Sequence, residues 1–136
     1  MIKNFLLSLI MISFIALVSC SDDSDPLTPP DYSNLIKGQW SGIGTTPRSD
    51  TLLFDMVLDA TDNVVSGTSK FNVNGEDRDD LTVSGTVGQP DVFLEFKSAS
   101  SDFTFTGKFS VTNGNIMEGT LQDEQFSDVK VVFTRK

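Results

Sequence analysis

Histidine is absent from this chain and cysteine occurs once, as Cys20. The first absence removes the commonest general base and the commonest metal ligand near neutral pH. With a single thiol, no internal disulfide can form. Serine–histidine, cysteine–histidine and Cys/His zinc arrangements are all excluded. A carboxylate pair could still run glycoside chemistry, but nothing else in the sequence points to catalysis, and the chain reads as a non-enzyme. Basic residues are also scarce, 10 Lys and Arg against 19 Asp and Glu. Such a chain is repelled by nucleic acid and by anionic lipid, so neither is an expected partner.

The N-terminus has a different character. Lys3 precedes an apolar stretch from Phe5 to Val18, which ends in Leu17-Val18-Ser19-Cys20. That order is a charged start, an apolar centre and small residues at a cleavage site, as in a secretory signal. A membrane-spanning helix is the alternative, but spanning takes about 20 apolar residues and this run is shorter. The Leu-x-Ser-Cys ending resembles the lipobox of bacterial lipoproteins. The resemblance implies a signal peptide over 1–19 and acylation of Cys20 (palmitate among the expected chains). The membrane is then a partner through the lipid anchor, and the location is the outer membrane. Cys20-Ser21-Asp22-Asp23 further resembles the signal by which some Gram-negative bacteria display lipoproteins on the cell surface. A plain solvated spacer is the competing reading of the same acids. After cleavage the chain keeps all 19 acids and loses Lys3 from its 10 bases, a formal charge of −10.

Residues 20–33 follow as a linker. Ser21 to Pro30 is acidic and proline-rich, with too little apolar content to fold. From 34 to 136 the chain alternates with period two, the mark of half-buried strands. Eight strands are expected, over 36–45, 51–60, 64–73, 80–88, 91–98, 102–112, 115–122 and 127–135, with no helical segment after the signal. Turn residues separate them, including Asn74-Gly75 and Asn113-Gly114, and Asn-Gly suits two-residue hairpins. Short connections make consecutive strands antiparallel neighbours. The fold class is therefore all-β, an eight-stranded antiparallel up-and-down barrel that removes exposed edges. A sandwich of the same strands is the alternative.

Strand parity sorts the faces. The inward set contains Trp40, Phe54, Met56, Phe71, Phe103, Phe105, Phe109, Val111, Met117, Phe133 and Arg135, as core or as ligand-contacting residues. The outward parity of strands eight, one and two carries Ile43, Leu53, Val57 and Val132. These would form an external apolar stripe, open to a protein partner or covered by Leu27, Tyr32 or Leu35. Four strands share an apolar-polar-Gly-polar repeat, at Gly67, Gly85, Gly107 and Gly119. Inward glycines either let a strand bend tightly or leave room for a ligand. Bending is the favoured reading, because many large side chains compete for the interior. The acidic run Asn72 to Asp80 has oxygen ligands that suit Ca²⁺ but lacks the EF-hand spacing. It reads as a solvated hairpin, and neither metal nor cofactor is expected.

Gly38-Gln39-Trp40 on the first strand, after a short lead and before an eight-strand meander, resembles the lipocalin-like (calycin) barrels. The resemblance implies a small apolar or amphipathic ligand. It also places Trp40 at the closed end, packed under Arg135 from the last strand, with loops 46–50, 74–79, 99–101 and 123–126 at an open mouth. The chain departs from that family in lacking disulfides and a C-terminal helix. Two functions follow as expectations: a lipid-anchored barrel that binds a small ligand, or a filled barrel that binds an envelope protein. An empty interior favours the first. A solid interior with an uncovered stripe favours the second.

Overall fold

The computed structural model describes residues 28–110, 112–124 and 126–136. The expected signal, Cys20, most of the linker and Val111 lie outside these residues. One turn of helix, α1 (Ser33–Ile36), is followed by β1 (Gly38–Thr45), β2 (Thr51–Thr61), β3 (Val64–Val73) and β4 (Glu76–Val87). Then come β5 (Asp91–Lys97), β6 (Asp102–Phe109), β7 (Ile116–Gln122) and β8 (Val129–Arg135). Each strand pairs antiparallel with the next, and β8 pairs back onto β1, so the sheet is a closed up-and-down barrel. Closure excludes the sandwich. Every ladder that closes the barrel is made by residues within 38–135.

Burial alternates along the strands, most cleanly in β2, where Leu52, Phe54, Met56, Leu58 and Ala60 all point inward, and lapses at the end of β3 and the start of β4. The boundaries differ from expectation where local chemistry competes with the period. Asn74 and Gly75 both adopt positive φ, 53° and 84°. That gives the tight two-residue turn Asn-Gly favours. β4 therefore starts at Glu76 rather than 80; the acidic run is the expected hairpin, but residues 76–79, expected in a loop, are strand. A bulge between Phe71 and Asn72 absorbs the register shift. β6 ends at Phe109 and β8 begins at Val129, each shorter than expected.

The expectation of no helix fails at Ser33–Ile36. The Ser33 N–H donates to Asp31 Oδ1 at 2.9 Å and the Leu35 N–H to the Tyr32 carbonyl at 2.9 Å. An Asp two residues ahead of a backbone N–H starts such a turn locally, whatever the longer pattern says. Gly38 then turns the chain into β1 at φ 126°. Part of the segment read as linker touches the barrel. Asn63 in the β2–β3 turn accepts from the Tyr32 N–H at 2.6 Å and donates to the Pro30 carbonyl at 2.8 Å. Its own N–H donates to the buried Ser33 hydroxyl at 3.0 Å. α1 thus plugs one end of the barrel, with Ile36 fully buried.

Rings fill the middle. Phe54 lies 5.0, 5.5, 6.1 and 5.6 Å from the ring centroids of Phe71, Phe96, Phe103 and Phe133. Phe105 meets Phe133 edge-on at 5.0 Å. These are favourable aromatic geometries. The inward glycines serve this packing. A Cβ on Gly85 would sit 2.0 Å from the Phe93 carbonyl oxygen, and one on Gly119 2.3 Å from that of Thr106. The strands bend until neighbouring backbone occupies the side-chain position, so bending is the reading that holds and these glycines leave no room for a ligand.

Candidate functional site: an apolar-floored mouth

With α1 at one end, access to the interior is at the other. There the β1–β2 loop, the β3–β4 turn, the β5–β6 loop and the β7–β8 loop surround an open cup of about 900 Å³. Leu52, Phe71, Val73, Phe103, Leu121 and Phe126 form its apolar floor and walls. Phe71, Val73 and Phe126 are only half-buried there. Inward-facing strand residues that run out of core neighbours near the rim stay partly open to water, which is why apolar surface persists at this end. Below the floor the Phe54 cluster closes the barrel.

The rim is held by hydrogen bonds between hairpins. Asp79, near the start of β4, accepts from the hydroxyls of Ser98, Ser100 (2.5 Å) and Ser101 (3.2 Å). The Ser98 oxygen in turn accepts from the backbone N–H of Ser100 and Ser101. The Ser100 and Ser98 hydroxyls hold the Asp79 carboxyl below the usual carboxylate range, against desolvation and with a further contribution from Ser101. Across the mouth, Asn74 donates to Asp50 at 2.9 Å and accepts from the Thr51 N–H at 2.8 Å. The β7–β8 loop closes on itself, the Phe126 N–H donating to Asp123 Oδ1 at 2.5 Å. These contacts shape the cup without filling it.

The residues named from the sequence divide between two ends. Phe71 and Phe103 line the cup. Trp40, Phe54, Met56, Phe105, Phe109, Met117 and Phe133 are core residues below it. Leu52, Val73, Leu121 and Phe126 also line the cup, though the candidate list omitted them. The first three share the inward parity, so nearness to a mouth loop was the available signal. Phe126 sits in a loop, where parity carries no information.

Arg135 marks the closed end. It is the register partner of Trp40, and its guanidinium carbon lies 4.4 Å from the Trp40 ring centroid. It donates to the carbonyls of Lys37 and Leu35 and to Asn115 Oδ1. The fully buried Trp40 indole donates to the Ile36 carbonyl at 2.7 Å. Together they satisfy carbonyls at and just beyond the end of α1 that have no helical partner. Gly38 suits its positive φ, which L side chains rarely adopt, and a Cβ there would crowd the Arg135 guanidinium at 3.0 Å.

On the outer surface, Leu53, Ile43 and Val132 are register partners in one row across β2, β1 and β8. They are 36, 54 and 37% exposed; Leu27, one of the residues expected to cover them, lies outside the described residues. Val57 is exposed but stands apart. The row through Asp55 and Ser41 separates it from the others, with Lys136 bound to Asp55 at 2.9 Å. The expected four-residue stripe is thus three residues and an outlier.

No protein-family model matches this chain, and neither does any curated protein. Solved structures do. A de novo designed fluorescence-activating β-barrel is similar over 79% of this chain and 99% of that one, with a TM-score of 0.63 and 14% identity. A redesigned β-barrel bound to DFHBI is similar over 74% of this chain and 99% of that one, with a TM-score of 0.54 and 13% identity. At these identities the likeness shows the eight-stranded barrel fold alone.

Proposed function

We propose that this protein is a non-enzymatic, lipid-anchored binding protein of the cell envelope, whose open barrel mouth takes a small apolar or amphipathic molecule. One observation carries the binding site: half-buried Phe71, Val73 and Phe126 face an open cup of about 900 Å³ at the only end that α1 does not plug. A concave, mostly preformed site with an apolar lining and polar rim is the usual form of a small-molecule site. The ligand sits in the mouth, because the aromatic cluster occupies the interior. A barrel of this fold has been solved with the small molecule DFHBI bound, which supports the reading by analogy. Anchoring and outer-membrane placement rest on Leu17-Val18-Ser19-Cys20, and surface display on Ser21-Asp22-Asp23.

The second reading is a protein-interaction module. It is favoured by the filled interior and by the row Leu53, Ile43 and Val132, exposed among the described residues. Native mass spectrometry of the protein purified from its source envelope separates the two. A bound small molecule, lost in Phe126→Arg, supports the first. A stoichiometric protein partner without a small molecule, lost in Ile43→Asp, overturns it in favour of the second.

A further inference from the structure

The walls of the cup carry four carboxylates and no base. Asp50, Asp102, Asp123 and Glu124 line it, and no Lys or Arg does. Of the basic residues in the loops and strand starts near the rim, Arg78 pairs with Glu76 at 3.3 Å, and Arg48 is exposed in the β1–β2 loop without lining the cup. Like charges gathered around a concavity with low-dielectric walls focus their field into it. The floor beneath is aromatic, with Phe71, Phe103 and Phe126 presenting rings to the same space.

We infer that the mouth selects an organic cation with an apolar body, such as a quaternary ammonium or a protonated amine on a hydrocarbon or aromatic frame. This rests on the cup being the ligand site, and it names the ligand's charge class. The apolar body covers the Phe and Leu floor. The cationic group lies among the carboxylates and over ring faces, which attract cations through their quadrupole. A divalent metal is a poor fit to the same acids. Metal binding needs three or more oxygen ligands converging on one point, and among the described residues no group of three or more metal-capable side chains converges. Carboxylates spread round a rim suit a bulky cation of diffuse charge instead. Asp50 and Asp123 are already tied to Asn74 and to the Phe126 N–H. Asp102 and Glu124 are exposed acids that carry charge without holding a loop.

The test uses residues 20–136 with Cys20→Ser, which contain every ladder of the barrel. Octyltrimethylammonium, 1-octanol and octanoate share one hydrocarbon chain and differ in charge. Each is titrated below its micellar concentration, with amide shifts reporting the location. We expect all saturable shifts to centre on Phe71, Phe103 and Phe126. The cation should bind about tenfold tighter than the alcohol, and the carboxylate weaker than either. Raising salt from about 0.02 to 0.5 M should shrink that preference to about twofold. The double variant Asp102→Asn, Glu124→Gln should lose most of the cation's advantage and leave octanol unchanged. Equal binding of the three probes in the cup would overturn the charge inference and leave the ligand site standing. Absence of saturable shifts in the cup with every probe would overturn both. Saturable Ca²⁺ shifts converging on the four acids would replace the organic cation with a metal.

Discussion

The Arg135 guanidinium carbon lies 4.4 Å from the centre of the Trp40 ring. The two residues are opposite each other where the last strand meets the first. The guanidinium also donates to the Leu35 and Lys37 carbonyls, so one side chain joins strand closure to the α1 plug. Its planar fork makes both contacts at once, which an ammonium cannot. Desolvation lowers the Arg135 pKa, and the carbonyls and ring compensate for that cost. Arg135→Ala should lower unfolding stability by about 2 kcal/mol, combining ring contact and charged hydrogen bonds. Arg135→Lys should recover less than half. Urea denaturation followed by the emission of Trp40, the single tryptophan, measures both.

The bending glycines predict a steep cost for one methyl group. A Cβ at Gly85 meets the Phe93 carbonyl oxygen at 2.0 Å, and backbone cannot swing aside as a side chain can. Gly85→Ala should cost about 2–3 kcal/mol or prevent folding, at the upper end of overpacking penalties. Gly114→Ala, where a Cβ would meet nothing within 4 Å, should stay within about 0.5 kcal/mol. Thermal melts of the pair decide it, and equal melting temperatures would contradict the packing account.

Position along the barrel axis predicts how phenylalanines differ. Phe105 is fully buried against Phe133, so Phe105→Ala should cost about 3–5 kcal/mol. Phe71 is half-buried at the cup floor, and Phe71→Ala should cost about half as much. Chemical denaturation gives both numbers. Phe71→Ala should also abolish binding in the cup while the protein stays folded.

The serine clamp on Asp79 predicts a pH dependence with a definite sign. The Ser100 and Ser98 hydroxyls favour the ionised carboxyl, so its folded pKa lies below the unfolded one. The clamp's stabilisation is fully present above the unfolded value, about 3.9. It disappears as pH falls through the folded value below that. Asp79→Ala should therefore be less stable than the parent by a constant margin between about pH 5 and 8, and the margin should close in acid. Denaturation midpoints for both proteins across pH measure the gap, and a margin that grew in acid would reverse the assignment.

The anchor is tested on the cell. Cys20→Ala should release the protein from membranes, since stable anchoring by acyl chains needs the acylated residue itself. Fractionation and immunoblotting report it. Retention of the variant in the membrane fraction would defeat the acylation reading.

Much of the barrel was legible in the sequence because a strand's period is two. Parity alone placed Phe54, Met56, Phe105, Met117 and Phe133 inside and Ile43 and Val132 outside, since a slip of one residue would reverse every face at once. The short turns made consecutive strands antiparallel neighbours, and eight such strands favoured closure over a sandwich. The meeting of Trp40 and Arg135 follows from closure plus parity. Where the period stops, so does legibility. The start of β4 depended on how tightly Asn74-Gly75 turns, and α1 on an Asp31 side chain reaching a backbone N–H. Phe126 in its loop had no parity to read.

Composition by itself excluded histidine and disulfide chemistry, and the N-terminal pattern by itself carries the expectation of an anchor at Cys20. Only the tertiary structure decided whether the inward residues enclose a space. Alternation says which way a side chain points, not how far across the barrel its opposite number reaches. The packing of Phe54 against Phe96, Phe103 and Phe133 joins β2 to strands distant in sequence. These rings fill the centre below the mouth, where the cup opens. Strand parity likewise grouped Val57 with Leu53, but the three-dimensional register set Asp55 and Lys136 between it and the exposed row. Contact across a closed sheet depends on stagger as well as on face, and stagger is settled only when the barrel closes.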